Sequence, residues 1–238
     1  MIRRMAIMRI PAAPLAALLA TLLAAVSLAC AAAPYTVRLG TEKIVLDPPP
    51  GFSDTTELGS PRLQDLADTL SSSSNRVLLF ALTDSDLRRF TQGDQLEAKR
   101  YMIVATPKVL EQQRVTAEQF AALVAESLGG LGKPVQFTDL VKFLESQPVG
   151  RANLLAELRK ELTVVSVLQA TRLPPLPGKT FWESAKPQYL VFTTTLVYMR
   201  GKALRVSVFS LVEGLADLDW LKTTSQRWVD DLQRLNPR

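Results

Sequence analysis

The sequence lacks histidine altogether and contains one cysteine, Cys30, among its 238 residues. The absence of histidine excludes the Ser-His-Asp and Cys-His forms of nucleophilic catalysis, because no imidazole is present to accept the proton. The shortage of both residue types also excludes an intrachain disulfide and zinc or haem sites built from these ligands. Any catalysis would depend on carboxylates, lysine, tyrosine or serine, and we expect neither a metal nor a cofactor.

Residues 1–33 have the order of an export signal. Arg3, Arg4 and Arg9 precede an uncharged apolar run over residues 15–29, and small residues follow it. This run of 15 residues is shorter than the roughly 20 that a membrane-spanning helix needs. The order basic, apolar, small predicts a signal peptide that delivers a bacterial chain to the periplasm or envelope. Extending the count over residues 10–33 leaves a permanent anchor as the alternative.

Cys30 has two alternative roles in this segment. The sequence Ser27-Leu28-Ala29-Cys30 resembles the lipobox of bacterial lipoproteins, whose cysteine is acylated, with Ser27 in the place of the usual leucine. Lipidation of Cys30 would attach the protein to a membrane, because each buried methylene group contributes about 0.8 kcal/mol. In the alternative, a peptidase cuts after Ala29 or Ala31 and releases a soluble periplasmic product.

The charge of the remaining chain is close to neutral. Residues 1–29 contain three of the 28 basic residues and none of the 23 acidic ones, which leaves 25 basic residues, a net charge of +2. No basic patch remains to bind a phosphate backbone, so we expect no nucleic-acid partner. Residues 34–238 are enough for one domain with a sizeable core.

Strand and helix segments do not alternate regularly along this domain. Alternating or continuous apolar runs predict strands over residues 35–39, 43–46, 77–82, 100–105, 162–173, 188–199 and 203–212. Helical periodicity and caps at Ser60, Asp84, Thr116 with Gln119, and Asp217 predict helices over residues 61–70, 84–90, 117–128, 139–145, 152–160 and 217–235. We therefore predict the α+β class, a mostly antiparallel sheet of about seven strands covered by helices.

The last predicted helix has one apolar face. Its buried positions repeat at intervals of three and four residues, which predicts a C-terminal helix docked on the sheet. These positions are Leu218, Leu221, Ser225, Trp228, Leu232 and Leu235.

Three features resemble a known family in their order along the chain. They are a strand that runs into Leu46-Asp47-Pro48-Pro49-Pro50-Gly51-Phe52, the long hairpin around Gly201, and the final helix. This order is similar to the PsbP-like sandwich, which includes the DcrB-like periplasmic lipoproteins. The resemblance implies a non-enzymatic envelope or accessory role and supplies no catalytic residues.

Local motifs indicate few candidate sites. Phe52, Trp182 and Tyr189 flank proline-rich loops, which predicts a binding surface, with packing at the edge of the core as the alternative. Gly178-Lys179-Thr180 resembles the end of a phosphate-binding loop, but the pattern requires glycine where Leu173 stands. Asp84-Ser85-Asp86 is better explained as the acidic start of a helix than as a cation site.

Three functions follow from these observations. The leading hypothesis is an exported envelope protein without a catalytic site, which binds or supports a protein partner. The alternative is a periplasmic carrier of an apolar ligand or lipid held between sheet and helices, because Leu, Val and Ala greatly outnumber aromatic residues. The third is a hydrolase based on carboxylates or lysine.

Overall fold

The strands form a hairpin and a seven-stranded antiparallel sheet. The computed structural model describes residues 34–174 and 187–237. Within these ranges β1 (Tyr35–Leu39) pairs with β2 (Glu42–Leu46) as a separate hairpin. The sheet has the order β3-β4-β5-β9-β8-β7-β6. Its strands are β3 (Phe52–Asp54), β4 (Asn75–Thr83), β5 (Arg100–Pro107), β6 (Asn153–Lys160), β7 (Val164–Arg172), β8 (Tyr189–Met199) and β9 (Lys202–Leu211).

Five α-helices accompany these strands in the described part of the chain. None of them is both long enough and apolar enough to cross a membrane. The antiparallel sheet and the docked final helix confirm the predicted α+β class. The helices are α1 (Pro61–Leu70), α2 (Asp84–Thr91), α3 (Ala117–Leu128), α4 (Leu140–Glu145) and α5 (Ala216–Leu235).

The main core lies between one face of the sheet and a layer made by α5, α4 and the β1–β2 hairpin. Leu221, Trp228 and Leu232 of α5 are at most 1% exposed, as their spacing predicts. Leu39 and Ile44 of the hairpin are fully buried in the same cluster. The hairpin therefore covers the sheet and does not extend it.

The opposite face of the sheet carries two smaller clusters. Helices α1 and α2 cover β4 and β5 through apolar residues such as Leu63 and Phe80. Helix α3 covers β8 and β9, where Phe120 packs near Leu196 and Ala203. The sheet is thus enclosed by layers on both faces.

The prediction of a helix over residues 152–160 is wrong, because this segment is the edge strand β6. Leu, Ala, Glu, Arg and Lys are strong helix formers, so the local sequence favours a helix. Pairing with β7 overrides this preference and buries Leu154 and Leu155, which are 4% and 7% exposed. Two register shifts interrupt the pairing, between Leu154 and Ala156 and between Glu157 and Arg159.

The observed helix caps agree with the predicted ones in part. Thr116 and Gln119 form the predicted capping box of α3. Helix α2 is capped by Thr83, whose hydroxyl accepts a hydrogen bond from the Asp86 N–H at 3.1 Å, and not by Asp84 as predicted. Asp217 lies inside the first turn of α5 instead of at its cap.

The predicted buried face of α5 includes one error. Leu235 is 37% exposed, because α5 ends at this residue. The chain then turns Asn236 inward, where it is 4% exposed. Upstream on the same helix, the Trp228 indole donates a hydrogen bond to the Asp47 carbonyl at 2.7 Å. Helix α5 therefore holds the segment that follows the hairpin.

Candidate ligand-binding site

Helix α3 is positioned over the sheet by its first turn. The capping box satisfies N–H groups at its start, since Gln119 N–H donates to the Thr116 hydroxyl and Thr116 N–H donates to the Gln119 side chain. One turn along, Phe120 is 1% exposed and its ring lies 5.5 Å from that of Tyr198. The Tyr198 hydroxyl donates to the Val115 carbonyl at 2.9 Å. These contacts fix the start of α3, and its later turns lie over β6 and β7.

An apolar groove of about 340 Å³ lies between the later turns of α3 and the β6–β7 edge. We call it the α3 groove. Its helix side is built from small and aliphatic residues, and its sheet side from strand residues of the same kind. The apolar lining consists of Ala121, Val124, Ala125, Leu128 and Leu131 on the helix side, with Leu154, Val165 and Val167 on the sheet side.

Charged residues of β6 form one rim of the α3 groove. Arg159 is held by Glu161 and by Asp230 of α5, each at 2.7 Å. Lys160 lines the groove, is exposed, and forms no ion pair within residues 34–174 and 187–237. Glu157 of β6 also lines the groove, is exposed and forms no ion pair in the described ranges, so the rim offers one uncommitted charge of each sign beside an apolar lining.

A second, smaller depression of about 120 Å³ lies on the same face of the sheet, near its centre. We call it the Arg205 depression. Arg205 of β9 lines it together with Phe192 of β8 and Phe209 of β9, whose ring centroids are 5.5 Å apart. The Phe209 ring also stacks on Tyr101 at 4.5 Å. Two aromatic residues and an arginine therefore line this depression together.

The strand register makes the two depressions neighbours. Val167, in the lining of the α3 groove, is paired directly with Thr194 of β8, which lines the Arg205 depression. Thr194 is paired in turn with Ser207 of β9 in the same depression. Directly paired residues point to the same face of a sheet, and adjacent strands are about 4.8 Å apart. The two depressions therefore lie next to each other on one surface.

Of the three predicted aromatic residues, the described ranges contain Tyr189 and Phe52, and neither is exposed. Tyr189 is 6% exposed and belongs to the main core, so its packing at the edge of the core replaces the predicted surface role. Phe52 is partly buried and stacks on Trp220 at 6.1 Å. Trp182 and Cys30 lie outside the described residues.

A wider groove of about 620 Å³ lies between α1 and β4. Its lining is more polar, and its cations are engaged with other groups of the protein. Arg76 forms an ion pair with Glu111, and Lys108 donates to the Ser73 carbonyl at 2.9 Å. This groove therefore has a more polar lining than the two neighbouring depressions, and both cations that line it have partners among the described residues.

Asp54 is the carboxylate to consider for the hydrolase hypothesis. Burial raises the pKa of Asp54, although hydrogen bonds from Thr56 and from the Phe80 N–H oppose the increase. Asp54 forms no ion pair with any lysine or arginine in the described ranges. A paired acid and base, which this hypothesis requires, is thus not assembled around Asp54 by described residues.

Comparisons with known proteins assign no family to the chain. No protein-family model matches, and no curated protein matches. Among solved structures, the chain is similar to the Ran-binding protein Mog1p of Saccharomyces cerevisiae, with 13% identity over 86% of this chain and 93% of that chain and a TM-score of 0.34. A point mutant of protein Mog1 matches with 14% identity, the same coverage and the same TM-score. Similarity at this level supports no functional argument.

Proposed function

We propose that the protein is an exported carrier of an apolar ligand with a single aliphatic chain, which it holds in the α3 groove. The observation that carries the proposal is the groove itself, an open apolar volume of about 340 Å³ between a helix and the sheet. Protein pockets for small molecules range from roughly 300 to 1,000 Å³ and are mostly apolar. The groove lies at the lower end of this range, which suits one chain better than a multi-chain lipid.

The lining residues favour a flexible aliphatic ligand over a flat aromatic one. No aromatic side chain lines the α3 groove within the described ranges, so stacking is not available there. Aliphatic residues such as Val124, Leu128 and Val165 offer dispersion contacts and exclude water. Burial of a methylene group contributes about 0.8 kcal/mol, so a chain of several methylenes gains enough to bind.

The proposed location outside the cytoplasm is supported by the order of residues 1–33. Intact-mass measurement on protein from its native host tests the fate of Cys30. An acylated Cys30 as first residue supports a membrane-attached carrier, and loss of membrane association in Cys30→Ala confirms the attachment. An unmodified start at Ala32 supports a soluble one. A chain that retains its first residues unmodified in the cytoplasm contradicts export altogether.

Binding of decanol to the purified protein, measured by calorimetry, tests the carrier function. We expect saturable binding to the wild type, and Ala125→Trp to weaken it at least about tenfold by filling the α3 groove. Ala122→Trp is the matched control, because Ala122 is exposed on the same helix and does not line the groove. It should bind decanol within about twofold of the wild type.

Two results would contradict this proposal. If the wild type shows no saturable binding of decanol, the protein is not a carrier of aliphatic chains. The leading sequence-based hypothesis, a protein partner, would then be the better explanation. If Ala125→Trp and Ala122→Trp bind decanol equally well, the ligand does not occupy the α3 groove.

A further inference from the structure

Arg205 is a partly buried cation without a partner among the residues that the structure describes. It lies in the middle of β9, paired directly with Ala105 of β5 and with Leu196 of β8. Within residues 34–174 and 187–237 no carboxylate lies within 4 Å of its guanidinium, and no group accepts a hydrogen bond from it. Burial lowers the pKa of Arg205, and no acidic group of the described residues opposes the effect.

The other partly buried arginines in the described ranges are compensated, Arg172 by a hydrogen bond that it donates to the Glu145 carbonyl at 3.0 Å. Arg100 pairs with Asp217 at 2.7 Å, Arg159 pairs with Glu161 and Asp230, and Arg76 pairs with Glu111. An arginine is rarely removed from water without a hydrogen-bonded anion, because the lost hydration is unfavourable. Arg205 differs from these residues in having no accepting group within the described ranges, and it lines a depression of about 120 Å³ where such an anion could bind.

Two of the four hydroxyl-bearing residues that line the Arg205 depression, Thr194 and Ser207, belong to strands of the sheet, and the other two are Ser71 and Ser72. Thr194 accepts a hydrogen bond from the Gln169 side chain at 3.0 Å, so its own proton remains available to donate. Ser207 is paired directly with Thr194 and lines the same depression. An arginine and two hydroxyl groups are donors suited to an oxyanion, and no acidic residue lines the depression.

From this arrangement we infer that Arg205 binds the carboxylate of the ligand, and that the ligand is an aliphatic acid whose chain occupies the α3 groove. The inference rests on the proposed carrier function and names the chemical class of its ligand. The direct pairing of Val167 with Thr194 places the two depressions on adjacent strands, so one molecule can reach both. A carboxylate and its first carbons fit the small volume beside the Phe192 and Phe209 rings.

The test compares decanoate with decanol, which differ in the head group. Calorimetry on the wild type should show about tenfold or greater preference for decanoate, as expected for a charge-assisted hydrogen bond. Arg205→Met should weaken decanoate binding by about tenfold and so reduce this preference to within about twofold. Arg227→Met is the control, because Arg227 is exposed on α5, on the other side of the sheet. It should retain the full preference.

The thermal stability of Arg205→Met provides an independent measurement. Since an uncompensated cation is removed, the melting temperature of the ligand-free variant should equal or exceed that of the wild type. Decanoate should then raise the melting temperature of the wild type more than that of the variant.

The outcomes separate this inference from the carrier function. Equal affinity of the wild type for decanoate and decanol, or an unchanged preference in Arg205→Met, would overturn the role of Arg205 and leave the carrier function standing. A marked loss of stability in Arg205→Met would also overturn it, because the guanidinium would then be bound within the protein. Failure of both ligands to bind the wild type would remove the carrier function itself.

Discussion

The side chain of Asn236 pairs with the backbone of Val45 as a neighbouring strand would. The Asn236 Oδ1 atom accepts a hydrogen bond from the Val45 N–H, and Nδ2 donates one to the Val45 carbonyl, both at 2.8 Å. Nδ2 also donates to the Leu232 carbonyl of α5 at 2.8 Å. One amide group therefore fastens the β1–β2 hairpin to the final helix.

We expect Asn236→Ala to lower the free energy of unfolding by about 2 kcal/mol, because it leaves partly buried backbone groups of Val45 without partners. Urea denaturation measures the change. Arg234→Ala is the control, since Arg234 is exposed and, within the described part of the chain, pairs only with Asp231 one turn away. Its effect should stay within about 0.5 kcal/mol. Equal stabilities of the two variants would show that the hydrogen bonds between Asn236 and Val45 contribute nothing to the free energy of unfolding.

Asp217 should make the stability of the protein depend on acid pH. Burial alone would raise the pKa of Asp217, but the N–H groups of Glu213 and Gly214 and the Arg100 guanidinium outweigh burial and hold that pKa below its usual range. The folded state then binds the proton more weakly than the unfolded state does. The resulting stabilisation is present above the unfolded pKa of about 4 and is lost as pH falls through the lower folded value.

We therefore expect Asp217→Asn to be less stable than the wild type at pH 7, and the difference to shrink below about pH 3. Urea denaturation across this pH range measures it. Asp219→Asn is the matched control, because Asp219 is in the same first turn of α5 and its side chain is 82% exposed. A stability difference between Asp217→Asn and the wild type that does not change with pH would contradict a lowered pKa of Asp217 in the folded state.

Gly40 is a position where the fold requires glycine. Its φ is +58°, and an added Cβ atom would lie 2.8 Å from the Gln112 carbonyl oxygen. Both the left-handed backbone and the backbone contact oppose a side chain, so Gly40→Ala should destabilise the protein by about 2 kcal/mol. Gly214→Ala is the control, since nothing lies within 4 Å of its added Cβ. Thermal unfolding of both variants tests this, and equal melting temperatures would refute it.

Thr193 and Ser225 form a buried hydrogen bond between β8 and α5. The Thr193 hydroxyl donates to the Ser225 hydroxyl at 2.9 Å, and the residues are 0% and 1% exposed. We expect Thr193→Val and Ser225→Ala each to cost about 1 to 2 kcal/mol, because each leaves one buried hydroxyl unpaired. The double variant should cost less than the sum by about 1 kcal/mol. Strict additivity in urea denaturation would contradict this coupling.

Local patterns in the sequence account for most of the fold. The Thr116–Gln119 capping box and the three-to-four spacing of Leu221, Trp228 and Leu232 act over a few residues, and the structure reproduces them. β6 could not be found this way, because its helix-forming residues become a strand only through pairing with β7. The separation of the β1–β2 hairpin from the sheet likewise depends on its packing against α5.

The candidate site has no local signal of this kind. The α3 groove combines residues of α3, β6 and β7, and the Arg205 depression adds residues of β8 and β9. In the sequence, Arg205 is one charged residue within an apolar strand. It indicates a site only after the structure shows that no described group pairs with it. Tyr189 shows the converse, since its place beside a proline-rich loop suggested exposure and its ring is buried.

The hydrogen bonds between Asn236 and Val45 have a consequence for the order of folding. The two residues are 191 positions apart, so their contact cannot form until nearly all intervening segments are arranged, and closing so long a loop is entropically costly. The hairpin carries its own local pairing, yet its apolar face has no cover until the sheet and α5 meet it. Amide protons of β2, among them that of Val45, should therefore gain protection from exchange last during refolding.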